Sequence, residues 1–387
     1  MSIANDVISP MASLCVAAAA LGCLYLLVGC VALSTFRSRR RAARCTPVPV
    51  TVLKPLHGAE PCLSRRLSSF CRQDYAAPVQ VICGVQDPSD PALAIARLLA
   101  TSPDGPSFDL VIDAREHGLN PKISNLISML PAAQHDVLVM ADSDMEVGPD
   151  YLARIVAELQ QPGVGAVTCL YHGVALSGRW SRHAALGINT HFLPNVVTAL
   201  TLRLARPCFG STIAISRSLL ARIGGLAAFA DHLADDYEIG QAVRSAGREV
   251  AIPAFTIGHA CFHERLRGLI AHELRAARTV RSIVPVGYCG AILTHPFPLA
   301  LIGAVLGAQH ALFVAAAALA CRAALCACVE RAFGIPRQPY WQIPSRDLLS
   351  FGVYIWSFFG MRVQWRGSRF RVAADGSLLS DQREAQA

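Results

Sequence analysis

The chain has 387 residues, of which 53% are hydrophobic and only 16% are charged, a balance too apolar for an ordinary soluble enzyme. Its net charge is +8, and because the basic residues crowd beside apolar stretches, the surplus suits anionic lipid headgroups and gives no nucleic-acid signal. The 14 cysteines form no paired metal-ligand spacing, and several lie within apolar runs, which argues against a disulfide framework.

The first predicted element is a membrane anchor. From Met11 to Leu33 the chain carries no charge and is long enough, as a helix, to cross a bilayer core of about 30 Å. The run is too long for a cleavable signal peptide, and its basic residues follow it instead of preceding it. They are Arg37, Arg39, Arg40, Arg41 and Arg44. Such a cluster stays on the cytosolic side of an inserted helix, so we expect the following domain to be cytosolic.

The stretch from Val48 to about Ile257 predicts one α/β domain, because short β-branched runs alternate with helical patterns and turn residues. The predicted strands are Val48–Leu53, Val79–Val85, Phe108–Ile112, Val137–Met140, Gly165–Cys169 and Glu249–Ile252. The predicted helices are Pro91–Ala100, Ile123–Leu130 and Asp150–Gln160. A mostly parallel sheet is the expected topology for this alternation.

The C-terminal region is apolar again, in two long stretches at Val286–Leu306 and Ala308–Val329 and a shorter one at Leu348–Met361. The first two predict a helical hairpin in the membrane. The sequence His-Pro-Phe-Pro beginning at His295 predicts a kink or an interfacial break in the first stretch. The arginines on both sides of the third stretch leave open which of the three lies in the interface.

The first chemical signal lies where the apolar run Val137–Met140 leads directly into Ala141-Asp142-Ser143-Asp144. Side chains two residues apart at a strand end point the same way, so Asp142 and Asp144 can present two carboxylates to one hard cation. Mg²⁺ is typically held by one or two carboxylates plus substrate phosphates, which fits the diphosphate of a nucleotide sugar. The alternative is an ordinary turn.

A second acidic cluster, Asp235-Asp236-Tyr237-Glu238, follows the turn Gly224-Gly225 and opens a helical pattern. Acidic residues at a helix start are favourable through the helix dipole, so plain capping explains the cluster equally well. Paired carboxylates in a cleft can also raise one another's pKa toward the range that a general base for a sugar-accepting hydroxyl needs.

A series of short motifs runs along nearly the whole chain. In the first half they are Val52-Leu53-Lys54-Pro55-Leu56, Gly84-Val85-Gln86-Asp87 with Asp90-Pro91-Ala92, Asn120-Pro121-Lys122-Ile123-Ser124-Asn125-Leu126 and Ala141-Asp142-Ser143-Asp144. In the second half they are Cys208-Phe209-Gly210-Ser211, Gly224-Gly225-Leu226 with Ala228-Phe229-Ala230, and Ala234-Asp235-Asp236-Tyr237. In order and spacing they resemble the ceramide glucosyltransferase family. Two further motifs, Thr294-His295-Pro296 and Val363-Gln364-Trp365-Arg366-Gly367, resemble its bacterial branch associated with hopanoid lipid biosynthesis.

The resemblance implies a GT-A-like nucleotide-sugar-binding α/β domain with N-terminal and C-terminal transmembrane helices. Along the chain we expect an anchor with its basic flank at 1–45, the glycosyltransferase domain at 46–282, and a C-terminal membrane region with a basic tail at 283–387. The expected location is the cell inner membrane, as a multi-pass protein whose catalytic domain faces the cytosol.

The resemblance also implies roles for individual residues. The nucleotide sugar would be bound by Asp87, Lys122, Asn125 and Asp142, and a divalent metal, Mg²⁺ or Mn²⁺, would be bound by Asp142 and Asp144. Asp236 would be the catalytic base of an inverting transfer, and Arg275 a further catalytic residue. Taken without the resemblance, Asp87 suits a strand-end turn and Lys122 a solvated surface.

The chain departs from the family in its closing motif, which is Gln or Arg, two variable residues, then Arg-Trp. Here the aligned run is His272-Glu273-Leu274-Arg275-Ala276, so Arg275 is kept while His272 and Ala276 replace the ends. The absent Trp would stack at the acceptor or hold the motif in place. Arg275, Arg278 and Arg281 recur at helical spacing, which suits either lipid headgroups or a diphosphate.

Three other features leave their roles open. The apolar segment Gly178–Leu204 is either a surface that dips into the bilayer or a buried core helix. His259 and His263 either contact the acceptor or diphosphate or are ordinary structural histidines.

The expected partners are a nucleotide sugar, a membrane lipid acceptor and the bilayer. The family core suggests UDP-glucose and ceramide, whereas the bacterial branch suggests UDP-N-acetylglucosamine and a hopanoid polyol. The alternatives are a processive polysaccharide synthase on the same fold and a catalytically silent membrane scaffold that binds nucleotide sugar.

Overall fold

The computed structural model describes residues 2–38, 46–100, 106–360, 362–365, 368–372 and 378–380, with side chains described over 10–38, 46–100 and 106–360. The chain forms two compact units. An apolar unit comprises Met1–Arg39, Ser177–Ala205 and Cys261–Arg369, and an α/β unit comprises Arg40–Leu176, Arg206–Ala260 and Phe370–Ala387. Part of the predicted basic features, Arg39 to Arg44 and Arg366-Gly367, lies outside the described residues.

The helices and strands are numbered here in chain order. The α-helices are α1 Ser2–Ser38, α2 Leu63–Cys71, α3 Ala92–Ala100, α4 Pro121–Met129, α5 Tyr151–Leu159, α6 Gly178–Gly187, α7 Leu193–Thr201, α8 Arg217–Arg222, α9 Asp235–Ser245, α10 Leu266–Ile283, α11 Pro285–Gly290, α12 Pro296–Val305, α13 Ala311–Phe333 and α14 Ile343–Ser357. The strands are β1 Val50–Pro55, β2 Val79–Val85, β3 Ser107–Ile112, β4 Val137–Met140, β5 Met145–Glu146, β6 Val164–Thr168, β7 Leu170–Ala175, β8 Ile213–Ser216, β9 Glu249–Ala251, β10 Thr256–Cys261, β11 Arg362–Trp365, β12 Ser368–Val372 and β13 Leu378–Ser380.

The α/β unit is built on a seven-stranded sheet in the order β3-β2-β1-β4-β8-β6-β9. Every pairing in this sheet is parallel except those of β8, which runs antiparallel to β4 and to β6. The mostly parallel sheet predicted from the sequence is therefore present. A second sheet of three short strands has the order β5-β10-β7.

Both faces of the central sheet are covered, and β1 illustrates why. All six of its residues are buried, as expected for a central parallel strand with layers on both sides. Val52 belongs to one hydrophobic core with Phe70 and Tyr151, while its neighbour Leu53 belongs to a second core with Met140. Successive side chains of a strand point to opposite faces, so one continuous apolar run fills two cores.

The six predicted strands and three predicted helices are all present, with ends shifted by about two residues or fewer. Several elements were missed by the sequence reading, namely α2, α8, β5, β7, β8 and β10. Strand β8 is only four residues long and is defined by its register with β4 and β6. That pairing depends on residues far away in the sequence, so local periodicity does not reveal it.

In the apolar unit, α1 and α13 are long and apolar enough to cross a membrane, and the pair Pro285–Thr294 and Pro296–Val305 counts as a third span if it is treated as one bent segment. These two helices meet at an angle of 68°, which confirms the break predicted at His295. Helix α14 is the third predicted apolar stretch, and it has 15 residues. The chain is thus a membrane protein.

The segment between β7 and β8 belongs to the apolar unit. It forms α6, a π-helical turn over Ile188–Phe192, and α7. Leu186, Leu193 and Val197 are fully buried, and α7 packs against α1. The segment is thus mostly buried helix, and its contact with the bilayer surface stays a prediction. Residues 177–205 and 261–282, which the sequence reading assigned to the glycosyltransferase domain, pack with the apolar helices because their apolar faces find partners there.

Small residues allow the helices of the apolar unit to approach closely. A Cβ placed on Gly22 of α1 would lie 2.5 Å from the backbone oxygen of Leu293 and 3.0 Å from Cβ of Pro296. On Gly303 of α12 it would lie 2.8 Å from Cγ2 of Val16. Close backbone approach at small residues is a common basis of helix association in membranes.

We predict that Gly22→Ala destabilises the apolar unit, because the added methyl meets a backbone atom that has no rotamer by which to move away. Overpacking of this kind costs about 1–3 kcal/mol. The melting temperature of the purified protein in detergent should fall. Gly290→Ala is the matched control, since a Cβ there meets nothing within 4 Å; an equal loss in both variants would contradict the close contact.

Candidate active site

The carboxyl ends of the central parallel strands carry the predicted chemical groups. Strand β4 ends at Met140, and Asp142 and Asp144 follow at once. Strand β2 ends at Val85, two residues before Asp87. Because parallel strands end at one edge of a sheet, ligands of open α/β folds bind at that edge. The sequence-predicted side chains are therefore delivered to one side of the α/β unit by the strand directions.

Lys122 is presented by the first turn of α4. Asn120 caps this helix, since its side chain accepts hydrogen bonds from the backbone N–H groups of Lys122 at 3.0 Å and Ile123 at 3.1 Å, and Pro121 occupies the first turn, where no N–H is needed. The ammonium of Lys122 lies 2.7 Å from Asp142 Oδ1. It also lies 3.4 Å from Asp235 Oδ2. One cation thus joins the two acidic motifs that the sequence placed about ninety residues apart.

Burial by itself would disfavour the charged form of this lysine. The surrounding carboxylates of Asp142, Asp235 and Asp236 nevertheless raise the pKa of Lys122 above its usual range. The ammonium is therefore permanently protonated at physiological pH. The alternative interpretation of Lys122 as a solvated surface lysine is wrong, because the side chain is only 16% exposed.

Asp236 lies in the first turn of α9, where its carboxylate is held by backbone donors. Gly210 N–H donates to Oδ2 and Tyr237 N–H to Oδ1, each at 2.8 Å. Burial, together with the negative charge of Asp235, raises the pKa of Asp236 to about 6. A carboxyl group with this pKa is ionised at neutral pH and holds a proton more readily than an ordinary aspartate, as a general base requires.

Asp235 plays a different part from its neighbour. It is buried, accepts a hydrogen bond from Asn120 Nδ2 at 3.1 Å and pairs with Lys122. Its carboxylate therefore ties the start of α9 to the start of α4, and the cluster is more than the plain helix capping that the sequence also allowed.

Gly210 makes room for this cluster. A Cβ at that position would lie 2.6 Å from Lys122 Nζ, 3.1 Å from Asp142 Oδ2 and 3.6 Å from Asp236 Oδ2. The three candidate side chains therefore converge on a backbone position where any larger residue would intrude.

Asp144 contacts a different side chain from Asp142. Its Oδ2 lies 3.2 Å from His259 Nε2 on β10, and the His259 ring packs on Tyr171 with a centroid distance of 5.3 Å. Of the two histidines left open by the sequence, His259 therefore lies at the acidic motif. His263 lies in the apolar unit, where its ring is 5.4 Å from that of His272.

Two buried cations that the sequence reading had not assigned fix the backbone of the Asp-Ser-Asp segment. Lys54 is fully buried, donates to the carbonyl of Asp142, and its ammonium lies 3.9 Å above the Phe70 ring. Arg66 is also buried and donates to the carbonyl of Ser143 at 3.0 Å. Desolvation lowers the pKa of Lys54 to about 8, with Asp144 and Asp142 opposing the shift.

Glu60 completes this support. It accepts a hydrogen bond from Ser143 Oγ at 2.8 Å and pairs with Arg66 at 2.7 Å. Lys54 lies within a motif of the resemblance, which was the available signal. Arg66 and Glu60 lie in the missed helix α2 and the loop before it, where the sequence offered no signal.

The donor set fits a hard divalent cation. Asp142 and Asp144 offer carboxylate oxygens, and among the described side chains no group of three or more His, Cys, Asp and Glu is arranged to hold a metal. A site with two protein carboxylates leaves the other positions to substrate phosphates and water, which is how Mg²⁺ is usually bound at phosphate sites.

The other predicted site residues are placed differently. Asp87 is exposed, and its carboxylate accepts hydrogen bonds from Ser89 N–H at 2.8 Å and Ser89 Oγ at 2.7 Å, which lower the pKa of Asp87. Asn125 is buried and donates to the carbonyl of Gly84 at 2.8 Å, so it joins α4 to β2. Arg275 lies on α10 in the apolar unit, and its assignment to the site stays a prediction.

Two basic residues of helix α10 bind the chain just after α14. Arg278 donates to the carbonyl of Phe359 at 2.8 Å and Arg281 to that of Gly360 at 3.1 Å. Both guanidinium groups thus bind carbonyls just beyond the end of α14, where cations are favourable. Glu273 pairs with the buried Arg346 at 2.7 Å, and Ala276, at the position of the family's Trp, is exposed.

Comparison with known proteins bears on this site. The sequence profile of glycosyl transferase family 21 matches residues 14–378. Ceramide glucosyltransferase 1 of Caenorhabditis elegans is 24% identical over 213 residues, which are 52% of this chain and 43% of that protein. An N-acetylglucosaminyltransferase of Rhizobium leguminosarum bv. viciae is 29% identical over 122 residues, which are 31% of this chain and 28% of that protein. The matches thus span less than half the length of these relatives.

A solved structure shares the fold. The mannosyltransferase of Pyrobaculum calidifontis, solved in complex with GDP-Man and Mn²⁺, superposes with a TM-score of 0.50 at 23% identity, covering 90% of this chain and 99% of that one. The likeness shows the fold, and the GT-A-like architecture expected from the sequence is confirmed.

We predict that Lys122→Met lowers the stability of the α/β unit, because it leaves Asp142 and Asp235 without the cation between them. Loss of a hydrogen-bonded charge costs about 2 kcal/mol when its partners are largely buried. Thermal melting of the purified protein in detergent measures it.

Arg65→Met is the matched control. It breaks an ion pair of the same 2.7 Å length, with Glu146, but the Arg65 side chain is 73% exposed. Exposed pairs contribute about 0.2–1 kcal/mol, so the melting temperature should barely change. Equal falls in melting temperature in the two variants would show that burial does not make the Lys122 ion pairs more stabilising than an exposed pair.

Proposed function

The chain belongs to glycosyl transferase family 21, and from this premise we propose that it transfers a hexose from a UDP-sugar to the hydroxyl of a membrane lipid, with inversion at the anomeric carbon. The observation that carries the proposal is the position of the Lys122 ammonium, which lies against Asp142 on one side and the Asp235-Asp236 turn on the other. A group for the departing diphosphate and a group for the incoming hydroxyl thus meet at one cluster.

In the proposed reaction Asp236 is the general base. Its ionised carboxylate accepts the proton of the acceptor hydroxyl as the hydroxyl oxygen forms its bond to the anomeric carbon. The bond between that carbon and the diphosphate oxygen breaks on the opposite face, and the electron pair leaves with the nucleoside diphosphate. The backbone donors of Gly210 and Tyr237 hold the carboxylate in place, so the proton acceptor need not reorganise during the step.

Charge builds up on the departing diphosphate, and the chain supplies groups for it. Lys122 is a fixed cation at the site, and Asp142 and Asp144 would hold Mg²⁺ or Mn²⁺. When bound, such an ion neutralises the negative charge of the leaving group. Lys54, Arg66 and Glu60 support this role indirectly, since their hydrogen bonds fix the backbone that carries both aspartates.

Donor and acceptor follow from the relatives rather than from the site. Relatives named ceramide glucosyltransferase favour a glucosyl donor and ceramide, whereas the rhizobial relative favours an N-acetylglucosaminyl donor, which suits the hopanoid polyol suggested by the sequence motifs. Incubation of the purified protein with UDP-glucose or UDP-N-acetylglucosamine and lipid extracts tests both pairs.

The same incubation separates the alternatives. A glycolipid product supports the proposal, a long polymer indicates a polysaccharide synthase, and no product from any donor indicates a nucleotide-sugar-binding scaffold. The described residues contain two or three candidate membrane spans, which are few for the transmembrane channel that a polymer would need. We also propose an inner-membrane location with the α/β unit in the cytosol, which the arginines following α1 support.

We predict that Asp142→Ala and Asp144→Ala each weaken metal-dependent binding of the donor, because each removes a hard oxygen ligand. Calorimetric titration with UDP-sugar, with and without Mn²⁺, measures the affinity. The control is Asp150→Ala, which removes an exposed carboxylate next to the N-terminus of α5. Unchanged donor affinity and intact metal dependence in both variants would rule out metal binding by Asp142 and Asp144.

We predict that Asp236→Asn lowers turnover by about 10²–10⁴-fold, the usual worth of general-base catalysis, while donor affinity survives. The amide keeps the shape of the side chain but cannot take the acceptor's proton, so the loss belongs to the chemical step. Asp235→Asn is the comparison. If that variant is inactive while Asp236→Asn retains near-native turnover, the base is the neighbouring residue.

The pH dependence of turnover provides a further check on the same residue. Asp236 accepts a proton only when it is ionised, and its pKa is raised to about 6, so turnover of the unmodified protein should rise with pH through about 6 and level off above it. The residual turnover of Asp236→Asn should lack this rise. A rise that persists in the variant would assign the titration to another group.

A further inference from the structure

The apolar unit contains a buried charged cluster that the proposed reaction does not use. Arg322 of α13 is fully buried, and its Nε lies 3.3 Å from Oδ1 of the equally buried Asp347 of α14. Arg322 also donates to the backbone carbonyls of Thr190 at 3.0 Å and of Thr294. Ionisable groups among membrane helices are costly to bury and usually mark a functional site.

Two histidines complete this cluster. His191 Nε2 lies 2.8 Å from Asp347 Oδ1, and the rings of His191 and His295 are stacked with centroids 5.7 Å apart. Both residues are buried, at 9% and 6% exposed. Among the described residues, the Nδ1 atoms of both rings are buried and have no hydrogen-bond partner.

The partners of His191 decide what its second nitrogen can do. Asp347 is paired with Arg322 and is therefore an ionised carboxylate, which only accepts hydrogen bonds. His191 Nε2 must carry the hydrogen that it donates to Asp347. In a neutral imidazole this leaves Nδ1 as an acceptor, and a buried acceptor without a donor is unfavourable.

The backbone is irregular at both histidines. His191 lies in the π-helical turn Ile188–Phe192, and such turns occur frequently at functional sites. His295 lies at the 68° break between Pro285–Thr294 and Pro296–Val305. The two rings therefore meet where two helices depart from regular geometry. Broken helices at membrane depth are tolerated where they line a cavity or are buried in protein.

An apolar groove on α14 lies beside His295. It has a volume of ≈ 440 Å³ and is lined by Phe351, Gly352, Ile355, Trp356 and Phe359. The ring of Phe351 lies 5.6 Å from that of His295. Trp356 and Phe359 are exposed, at 58% and 68%. The volume of the groove can hold part of an alkyl chain, and its lining residue Phe351 contacts the His295 ring, whose Nδ1 has no hydrogen-bond partner among the described residues.

We propose that the His191–His295 pair binds the hydroxyl of a membrane lipid whose alkyl chain lies in the α14 groove. The hydroxyl donates its hydrogen to His191 Nδ1 and thereby satisfies an acceptor that the protein leaves open. The ligand class is a lipid alcohol, with a vicinal diol or polyol suited to the two adjacent Nδ1 atoms of His191 and His295. This inference deepens the proposed function, on which it rests for the identification of the lipid as the acceptor substrate.

The test is photolabelling of the purified full chain in detergent, without any sugar donor. The probe is a hexadecyl vicinal diol that carries a diazirine in its alkyl chain, and labelled peptides are mapped by mass spectrometry. We expect labelling of peptides from α14 or from the break at His295. An unlabelled hexadecyl vicinal diol should compete with the probe, whereas hexadecane, which has no hydroxyl, should not.

The variants are chosen to remove one nitrogen each. In His191→Gln the side-chain amide can still donate to Asp347 in place of Nε2 while the Nδ1 acceptor is lost, and His295→Gln likewise removes the second Nδ1 atom. We expect labelling to fall by about tenfold in each, the worth of one hydrogen bond to a buried partner. His310→Asn alters an exposed histidine of the same unit and should label as the unmodified protein does.

Melting temperatures of all three variants separate misfolding from loss of binding. If a histidine variant does not fold, competition between the diol and hexadecane on the unmodified protein still decides the matter. Equal competition by hexadecane would overturn the proposal, since the groove would then bind alkyl chains alone. Full labelling of both folded variants would also overturn it, with buried water as the partner of the two nitrogens. Because no donor is present, these outcomes are independent of sugar transfer.

Discussion

The ion pair between Lys122 and Asp142 is the interaction on which the α/β unit's candidate site depends. It joins the capped start of α4 to the end of β4, and the same ammonium reaches Asp235 at the start of α9. Three elements that are distant in the sequence are thereby held at one edge of the sheet. Because a single cation serves three carboxylates, their mutual repulsion becomes compatible with close packing. Burial, together with the negative charge of Asp235, still raises the pKa of Asp236.

Support for the acidic motif comes from three residues that bind its backbone and its serine. Lys54 and Arg66 donate to backbone carbonyls, and Glu60 fixes the intervening Ser143. These contacts hold a short loop that regular secondary structure does not restrain. The side chains that would meet phosphate and metal can therefore keep their geometry before a ligand arrives, which is the condition for electrostatic stabilisation without reorganisation.

The apolar unit handles buried charge by a different rule. Arg322 and Asp347 neutralise one another, and Arg322 also donates to backbone carbonyls at an irregular turn and a helix break. The departures from helical geometry leave carbonyl groups without their usual donors, and a guanidinium with several N–H groups is suited to satisfy them. Close packing at Gly22 and Gly303 brings α1 against α12 in the same unit.

The sequence by itself determined the elements whose signal is local: the anchor, the break at His295, the principal strands of the sheet, and the run from β4 into Asp142 and Asp144. Periodicity, proline chemistry and motif order are properties of neighbouring residues. Only the tertiary structure decided the antiparallel place of β8, the packing of residues 177–205 with the apolar helices, the supporting role of Arg66, and the internal position of Asn125. Each depends on contacts between residues far apart in the chain, and burial and pairing arise only when the fold has brought them together.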